Sequence, residues 1–259
     1  MIGLPHLEAW QWAMVAFATL LIGAAKTGFA GIGIISIALF ALVWPARESV
    51  GIVLVVLICA DCVAVSSYRR ALARWDILKQ IYPWALLGIG LGFLALGRVS
   101  DAEAKRLIGG ILLLLVGLAL YRTVRSGTPP PAVEGEPSPA APVPAWLTAV
   151  AGTVAGMTTM VANAAGPVIV LYLLARKLDK VTFVATAAWF FFTLNLCKVP
   201  FGLRLGVVNP TSLAVALALL PCAIAGGALG KWALPRVNQR AFEITTLALT
   251  FAAAVRLLL

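Results

Sequence analysis

A lysine inside a long apolar stretch is the strongest candidate for chemistry in this sequence. Lys26 is followed by Thr27 and then by Gly28, Gly31 and Gly33. Glycine frees the backbone of a helix, and a half-helix that begins there presents unpaired N–H groups with partial positive charge. A cation beside such groups suits an anion. We therefore predict that these five residues bind a small anionic substrate.

A second polar group lies in the corresponding stretch of the other half of the chain. It consists of neutral hydrogen-bonding side chains and one further glycine, with an asparagine on a later apolar stretch: Thr158, Thr159, Asn163, Gly166 and Asn195. Hydroxyl and amide groups can orient the oxygens of an oxyanion without adding charge. We predict that they complete the same substrate site.

Asp61 also lies in an apolar stretch, and its sequence context permits two interpretations. It either forms a buried contact, such as an ion pair with Lys26, or takes up a proton that is coupled to transport. Lys26 has an alternative too, because it could end a short helix and extend to the membrane interface. Lys198, close to Pro200, is expected at the membrane boundary.

The sequence offers little for catalysis. The single histidine, His6, lies at the amino terminus, and no cluster of His, Cys and carboxylates has the spacing of metal ligands. The run of Gly28, Gly31 and Gly33 follows no strand, so it does not predict a dinucleotide site. We predict no enzymatic activity, no metal and no cofactor.

The elements that position these residues are transmembrane helices. Of the 259 residues, 62% are apolar and 12% are charged, and the mean hydropathy is +1.00, whereas soluble domains are about 25% charged. Apolar stretches occupy residues 10–44, 49–68, 80–97, 107–121, 146–175, 181–203, 211–230 and 242–259. The composition predicts an all-α, multi-pass integral membrane protein.

Two of these stretches, 10–44 and 146–175, are too long for a single crossing. As continuous helices they would extend about 52 and 45 Å, against a hydrocarbon core of about 30 Å. Both contain several glycines, and the second contains Pro167, which interrupts hydrogen bonding in a helix. We predict that each folds back as a re-entrant hairpin.

The basic residues support this topology. A net charge of +10 could indicate nucleic acid or an anionic ligand, but basic loops accumulate on the cytoplasmic side of membrane proteins. We attribute most of the charge to topology and expect no nucleic-acid partner. With two hairpins, twelve loop Lys and Arg residues share one side and seven the other, whereas eight simple crossings divide them nine to ten.

The two halves of the chain are related. A set of five residues in the third span of the first half recurs at constant offset in the second half: Pro83, Gly88, Gly92, Arg98 and Val99 become Pro221, Gly226, Gly230, Arg236 and Val237. The paired glycines are typical of close helix packing. Three crossings in each half would invert the second copy, and inverted repeats with broken helices are typical of secondary transporters.

The predicted organisation is therefore two inverted membrane repeats, each a Gly-broken re-entrant helical hairpin plus three transmembrane helices. The first repeat covers residues 1–125 and the second covers 145–259. Residues 126–144 hold seven prolines and are predicted to form a cytoplasmic linker.

The stretch from Gly23 to Gly33, its partner from Gly152 to Pro167 and the proline-linked halves resemble the sulfite exporter TauE/SafE family. The resemblance covers nearly the whole chain. It implies an inner-membrane permease that moves sulfite or organosulfur anions such as sulfoacetate, generally outward, driven by an ion gradient. The second motif reads MVANAA at 160–165, where many members keep a glycine-rich run, and this departure leaves the particular anion open.

We therefore expect a secondary transporter of small sulfur-containing anions, with its site near the membrane midplane and a proton as the suspected coupling ion on Asp61. An anion channel, a transporter of a different small organic anion and a non-transporting membrane protein are the alternatives. The expected partners are the anion, the coupling ion and the lipid bilayer. The sequence does not define an oligomeric state.

Overall fold

The computed structural model describes residues 5–28, 32–95, 137 and 139–258. This part of the chain is helical and contains no strand. The helices are α1 (Ala9–Thr27), α2 (Gly33–Val43), α3 (Ala46–Ser67), α4 (Trp75–Ala95), α5 (Ala145–Ala162), α6 (Gly166–Ala175), α7 (Lys180–Arg204), α8 (Pro210–Ala233) and α9 (Gln239–Leu258). The predicted span at 107–121, most of the predicted linker at 126–144 and Gly31 lie outside the described residues.

Five of the described helices are long and apolar enough to cross a membrane: Glu48–Ser67, Trp75–Ala95, Ala145–Ala162, Lys180–Arg204 and Pro210–Arg236. Large apolar side chains on their outer faces, such as Leu94 and Leu217, are more than half exposed. Exposed leucines on long apolar helices suit contact with lipid. The prediction of an all-α, multi-pass membrane protein is confirmed at this level.

Both overlong stretches are interrupted. In the first, α1 ends at Thr27 and α2 begins at Gly33. In the second, α5 ends at Ala162 and is capped by Asn163, whose φ of 53° is left-handed, and α6 begins at Gly166 with Pro167 in its first turn. An asparagine tolerates the left-handed conformation that closes a helix, and proline is favoured at the start of one. The sequence predicted both interruptions.

Two closely packed helix pairs each join one helix of the first half to one of the second: α1 packs along α8, and α4 packs along α5. Glycines permit both close approaches. A methyl group at Gly88 would lie 2.1 Å from the carbonyl oxygen of Thr153, and one at Gly226 would lie 2.0 Å from that of Leu20. Both distances are too short for any side chain, so the backbones touch at equivalent points of the two pairs, as the glycine spacing predicted.

A second pair of glycines repeats this correspondence from the opposite helices. A methyl group at Gly156 would meet the carbonyl oxygen of Ala85 at 2.0 Å, and one at Gly23 would meet that of Ala223 at 2.3 Å. Ala85 and Ala223 stand in the same offset as Pro83 and Pro221. The same contacts therefore recur between α4 and α5 and between α8 and α1.

Two apolar clusters form the core, and each combines helices from both halves. One contains Val15, Phe40, Ile52 and Leu219 from α1, α2, α3 and α8, and the other includes Ile81, Ala155, Ile169 and Phe190 from α4 to α7. Helix α3 packs on α7 where the clusters meet. Two of the predicted site residues, Asp61 on α3 and Asn195 on α7, are in contact at this junction.

Candidate functional site

A buried ion pair lies at the first helix break. Lys26, in the last turn of α1, places its Nζ 2.7 Å from Oδ1 of Asp61 on α3, and the two side chains are 11% and 0% exposed. A cation is favourable near the carboxyl end of a helix because the free carbonyls there carry partial negative charge. The same Nζ lies 4.0 Å from the centre of the Phe191 ring, a cation–π arrangement.

The carboxylate of Asp61 is also held from α7. Its Oδ2 accepts a hydrogen bond of 2.6 Å from Nδ2 of Asn195. Oδ1 is therefore held by the charge of Lys26, and Oδ2 by a hydrogen bond from a neutral amide. Such bonding is what a fully buried carboxylate requires to remain ionised.

Lys198 forms the second cationic centre, one turn along α7 from Asn195. Its Nζ donates to Oδ1 of Asn163 (2.5 Å), to Oγ1 of Thr159 (3.0 Å) and to Oδ1 of Asn195 (3.3 Å). An ammonium group has three protons, and each has an acceptor here. Lys198 is only 2% exposed, so it belongs to the buried polar network, which its expected place at the membrane boundary did not predict.

The break in the second half is tied to the first half of the chain. Nδ2 of Asn163 donates to the carbonyl oxygen of Val50 on α3 over 3.1 Å. The left-handed backbone of Asn163 turns the chain at this point, and its amide reaches both α3 and Lys198. One polar network therefore connects α1, α3, α5 and α7.

A cavity of about 90 Å³ adjoins this network, several times the volume that one buried water needs. Its polar lining comes from Lys26, Thr159, Asn163 and Asn195. Its remaining walls include Gly33, Gly166 and Phe191 together with aliphatic side chains of α2, α6 and α7. A mainly apolar cavity with a few convergent polar groups is the usual form of a small-molecule site.

Lys198 determines which atoms the neutral side chains offer to this cavity. Because the carbonyl oxygens of Asn163 and Asn195 and the hydroxyl oxygen of Thr159 accept from Lys198, each side chain is left with an N–H or O–H proton. No described residue accepts the hydroxyl proton of Thr159 or the second N–H of either amide. With Lys26, the polar residues that line the cavity thus have several hydrogen-bond donors to offer.

The other predicted residues lie away from the cavity. The hydroxyl of Thr27 donates to the carbonyl of Gly227 over 2.8 Å, and that of Thr158 donates to the carbonyl of Ala155 over 3.2 Å. A methyl group at Gly28 would meet Gly230 on α8 at 2.4 Å. Thr27 and Gly28 therefore serve the contact between α1 and α8, and Thr158 satisfies its own helix.

Two residues at the first break were not predicted from the sequence to belong to the site. Phe191 covers Lys26, and Tyr68, just after α3, donates its hydroxyl to the carbonyl oxygen of Thr27. Burial raises the pKa of Tyr68 to about 12, so this hydroxyl keeps its proton at physiological pH and remains a donor. The signal for Phe191 was its place one turn before Asn195 on the same helix face.

Among the described residues, no group of three His, Cys, Asp or Glu side chains is arranged to hold a metal ion. The polar network contains one carboxylate, and its other ligating atoms bind the two lysines. The arrangement is built around fixed cations and aimed N–H and O–H groups.

Comparison with known proteins gives one match. The family model described as sulfite exporter TauE/SafE matches residues 15–257. No curated protein and no solved structure matches the chain. The family match includes both helix breaks and every residue of the polar network.

Proposed function

Since this chain belongs to the sulfite exporter TauE/SafE family of membrane transporters, we propose that it is a secondary transporter of small sulfur-containing anions. Sulfite and organosulfonates such as sulfoacetate are the proposed cargo, and the inner membrane is the proposed location. The observation that carries the proposal is the donor-lined wall of the cavity beside Lys26. Lys26, Thr159, Asn163 and Asn195 are the proposed ligands.

A wall of donors discriminates by charge. The oxygens of a sulfite or sulfonate group are acceptors, and each can take a proton from Lys26, from Thr159 or from one of the two amides. A cationic or donor-rich cargo that displaces water from the cavity would leave these protons unpaired, which costs about 1–3 kcal/mol for each neutral group. The aliphatic and aromatic part of the cavity then suits the carbon substituent of an organosulfonate.

The proposed transport mechanism uses the two halves as inverted repeats. The pairs α1–α8 and α4–α5 each join the two halves and have glycine contacts at equivalent positions, which supports this relationship. Each half would then contribute one re-entrant hairpin, α1–α2 or α5–α6, and movement of one half against the other would open the site to either side.

Asp61 is the proposed coupling group. Its Oδ1 pairs with Lys26, so a proton on Asp61 would release Lys26 to the cargo. The contact between Nζ of Lys26 and Oδ1 of Asp61 would thus couple proton uptake to anion binding. A channel would need no such group.

The experiment is anion-evoked current from the full-length protein in proteoliposomes on a solid-supported membrane, with sulfite, sulfoacetate and thiosulfate as probes. We expect saturable currents that protein-free liposomes lack and that choline, a cation, does not evoke. Absence of current and of radiolabelled uptake with all three anions would overturn the proposal. Flux that does not saturate and that persists in Asp61→Asn without a proton gradient would indicate a channel.

A further inference from the structure

The charges of the polar network can be counted from its geometry. Three oxygen atoms surround Nζ of Lys198, which suits an ammonium group with three protons, and we count Lys198 as a cation. Lys26 is paired with an ionised Asp61 at 2.7 Å. Two cations and one anion leave a net charge of +1 among the described residues of the site.

The titratable groups that face Asp61 lie on three helices: Lys26 on α1, Lys198 on α7 and, on α3 itself, Cys59 and Cys62. Helix α2 has no titratable side chain, and those of α8, which also packs on α3, are Cys222 and Lys231. The two thiols are ordinarily neutral, since a free cysteine has a reference pKa of about 8.5. Asp61 is the carboxyl group of this set, and a proton on it raises the net charge of the site by one.

A buried site is most stable when its charges cancel, because an uncompensated charge in a medium of low dielectric constant is costly. A net charge of +1 cancels against one monovalent anion. If Asp61 holds a proton, the net charge becomes +2, which cancels against one divalent anion. The loaded site is neutral in these two combinations and in neither of the crossed ones.

We propose that the site takes up one net negative charge per cargo: a monovalent anion alone, or a divalent anion together with one proton on Asp61. This inference rests on the proposed function and defines its stoichiometry. The proton enters from the same aqueous side as the divalent anion and binds Oδ1 of Asp61, the oxygen that faces Lys26. Nζ of Lys26 then pairs with the anion in place of Asp61, while Oδ2 of Asp61 still accepts the hydrogen bond from Asn195.

The experiment measures binding of two probes to the purified full-length protein in detergent by isothermal titration calorimetry. Methanesulfonate is a monovalent anion and sulfoacetate is a divalent one, and neither changes charge between about pH 6 and 8. If one proton is taken up with sulfoacetate, its binding should weaken as the pH rises, with Kd increasing about tenfold per pH unit. The Kd of methanesulfonate should not change. Titrations in buffers of different ionisation enthalpy should give one proton taken up per sulfoacetate and none per methanesulfonate.

Asp61→Asn fixes the site in its doubly positive form. We expect the pH dependence for sulfoacetate to disappear and the preference for sulfoacetate over methanesulfonate at neutral pH to rise at least tenfold. Asp76→Asn is the matched control, because Asp76 is also paired with a basic residue, Arg74 at 2.7 Å, but lies outside the cavity and is half exposed. It should retain the wild-type pH dependence.

Equal proton uptake with both probes, or an unchanged slope in Asp61→Asn, would overturn the stoichiometry while leaving the proposed function intact. Failure of the proposed function has a different result: neither probe, nor sulfite or thiosulfate, binds the wild-type protein. The proton count on the wild type decides the question even if Asp61→Asn does not fold.

Discussion

Asn195 donates its amide N–H to the carboxylate of Asp61 over 2.6 Å, while its carbonyl oxygen accepts from Lys198 over 3.3 Å. The amide therefore separates the buried carboxylate from the second buried cation and gives each a partner of the correct kind. An asparagine suits this position because it carries a donor and an acceptor on one planar group. This arrangement also fixes which end of the amide faces Asp61.

Asn195→Asp should place a second carboxylate against Asp61. Two adjacent carboxylates cannot both remain ionised in a buried site, and they share a proton instead. We expect the Kd of sulfoacetate to weaken roughly tenfold or more at neutral pH and to recover as the pH falls. The measurement is titration calorimetry across the pH range.

Asn238→Asp provides the control for that prediction. Oδ1 of Asn238 accepts from the backbone N–H of Ala241 at the start of α9, and a carboxylate is an equally good acceptor there. The same chemical change should therefore leave binding as in the wild type. A pH profile of Asn195→Asp identical to that of the wild type would contradict the arrangement around Asp61.

Two neighbouring threonines separate substrate binding from helix structure. Thr159 accepts from Lys198 and lines the cavity, whereas Thr158 bonds to its own helix. Thr159→Val removes a ligand and leaves one proton of Lys198 unpaired, so we expect anion binding to weaken by about 1–3 kcal/mol. Thr158→Val, an identical change one residue earlier, should bind within a factor of two or three of the wild type. Equal losses in both variants would show that Thr159 acts only through folding.

The sequence identified part of this site and missed its second cation for a physical reason. Lys26 stands out because its charge falls amid apolar residues and beside glycines. Lys198 lies two residues before Pro200 and six before Arg204, which is typical of a helix end. In the structure, α7 continues through Pro200 to Arg204, and the three acceptors of Lys198 come from α5, from the break that follows it and from α7. Local sequence cannot indicate that those oxygens converge.

The fold, like the site, was predictable from the sequence only in part. Glycine and proline positions predicted where both long stretches are interrupted, and the repeated glycines predicted close packing. Which helices the glycines would meet was not predictable, since Gly88 contacts α5 of the other half and not a neighbour in its own half. Which helices pair depends on how the two halves pack against each other in three dimensions, and the local sequence carries no signal of that.

Close packing at one of these glycines can be tested within a single helix. A methyl group at Gly88 would lie 2.1 Å from a backbone carbonyl, whereas one at Gly90 meets nothing within 4 Å. Gly88→Ala should lower the free energy of unfolding by about 1–3 kcal/mol because α4 and α5 must separate. Gly90→Ala should be neutral or stabilising by up to about 1 kcal/mol, since alanine favours the helix. Thermal unfolding in detergent provides the measurement, and equal stability of the two variants would contradict the close contact.

The ion pair of Lys26 and Asp61 predicts an asymmetric response to removal of either partner. Asp61 is completely buried, whereas Lys26 is 11% exposed and lines the cavity. Lys26→Met therefore leaves an unpaired carboxylate without solvent, and we expect a loss of about 3–5 kcal/mol in stability. Asp61→Asn leaves a lysine that can be hydrated from the cavity, so its loss should be clearly smaller. The double variant should be more stable than Lys26→Met alone, because it no longer contains the unpaired carboxylate of Asp61. Thermal unfolding of the three variants in detergent measures this coupling, and strictly additive losses would mean that the two side chains do not interact in the folded protein.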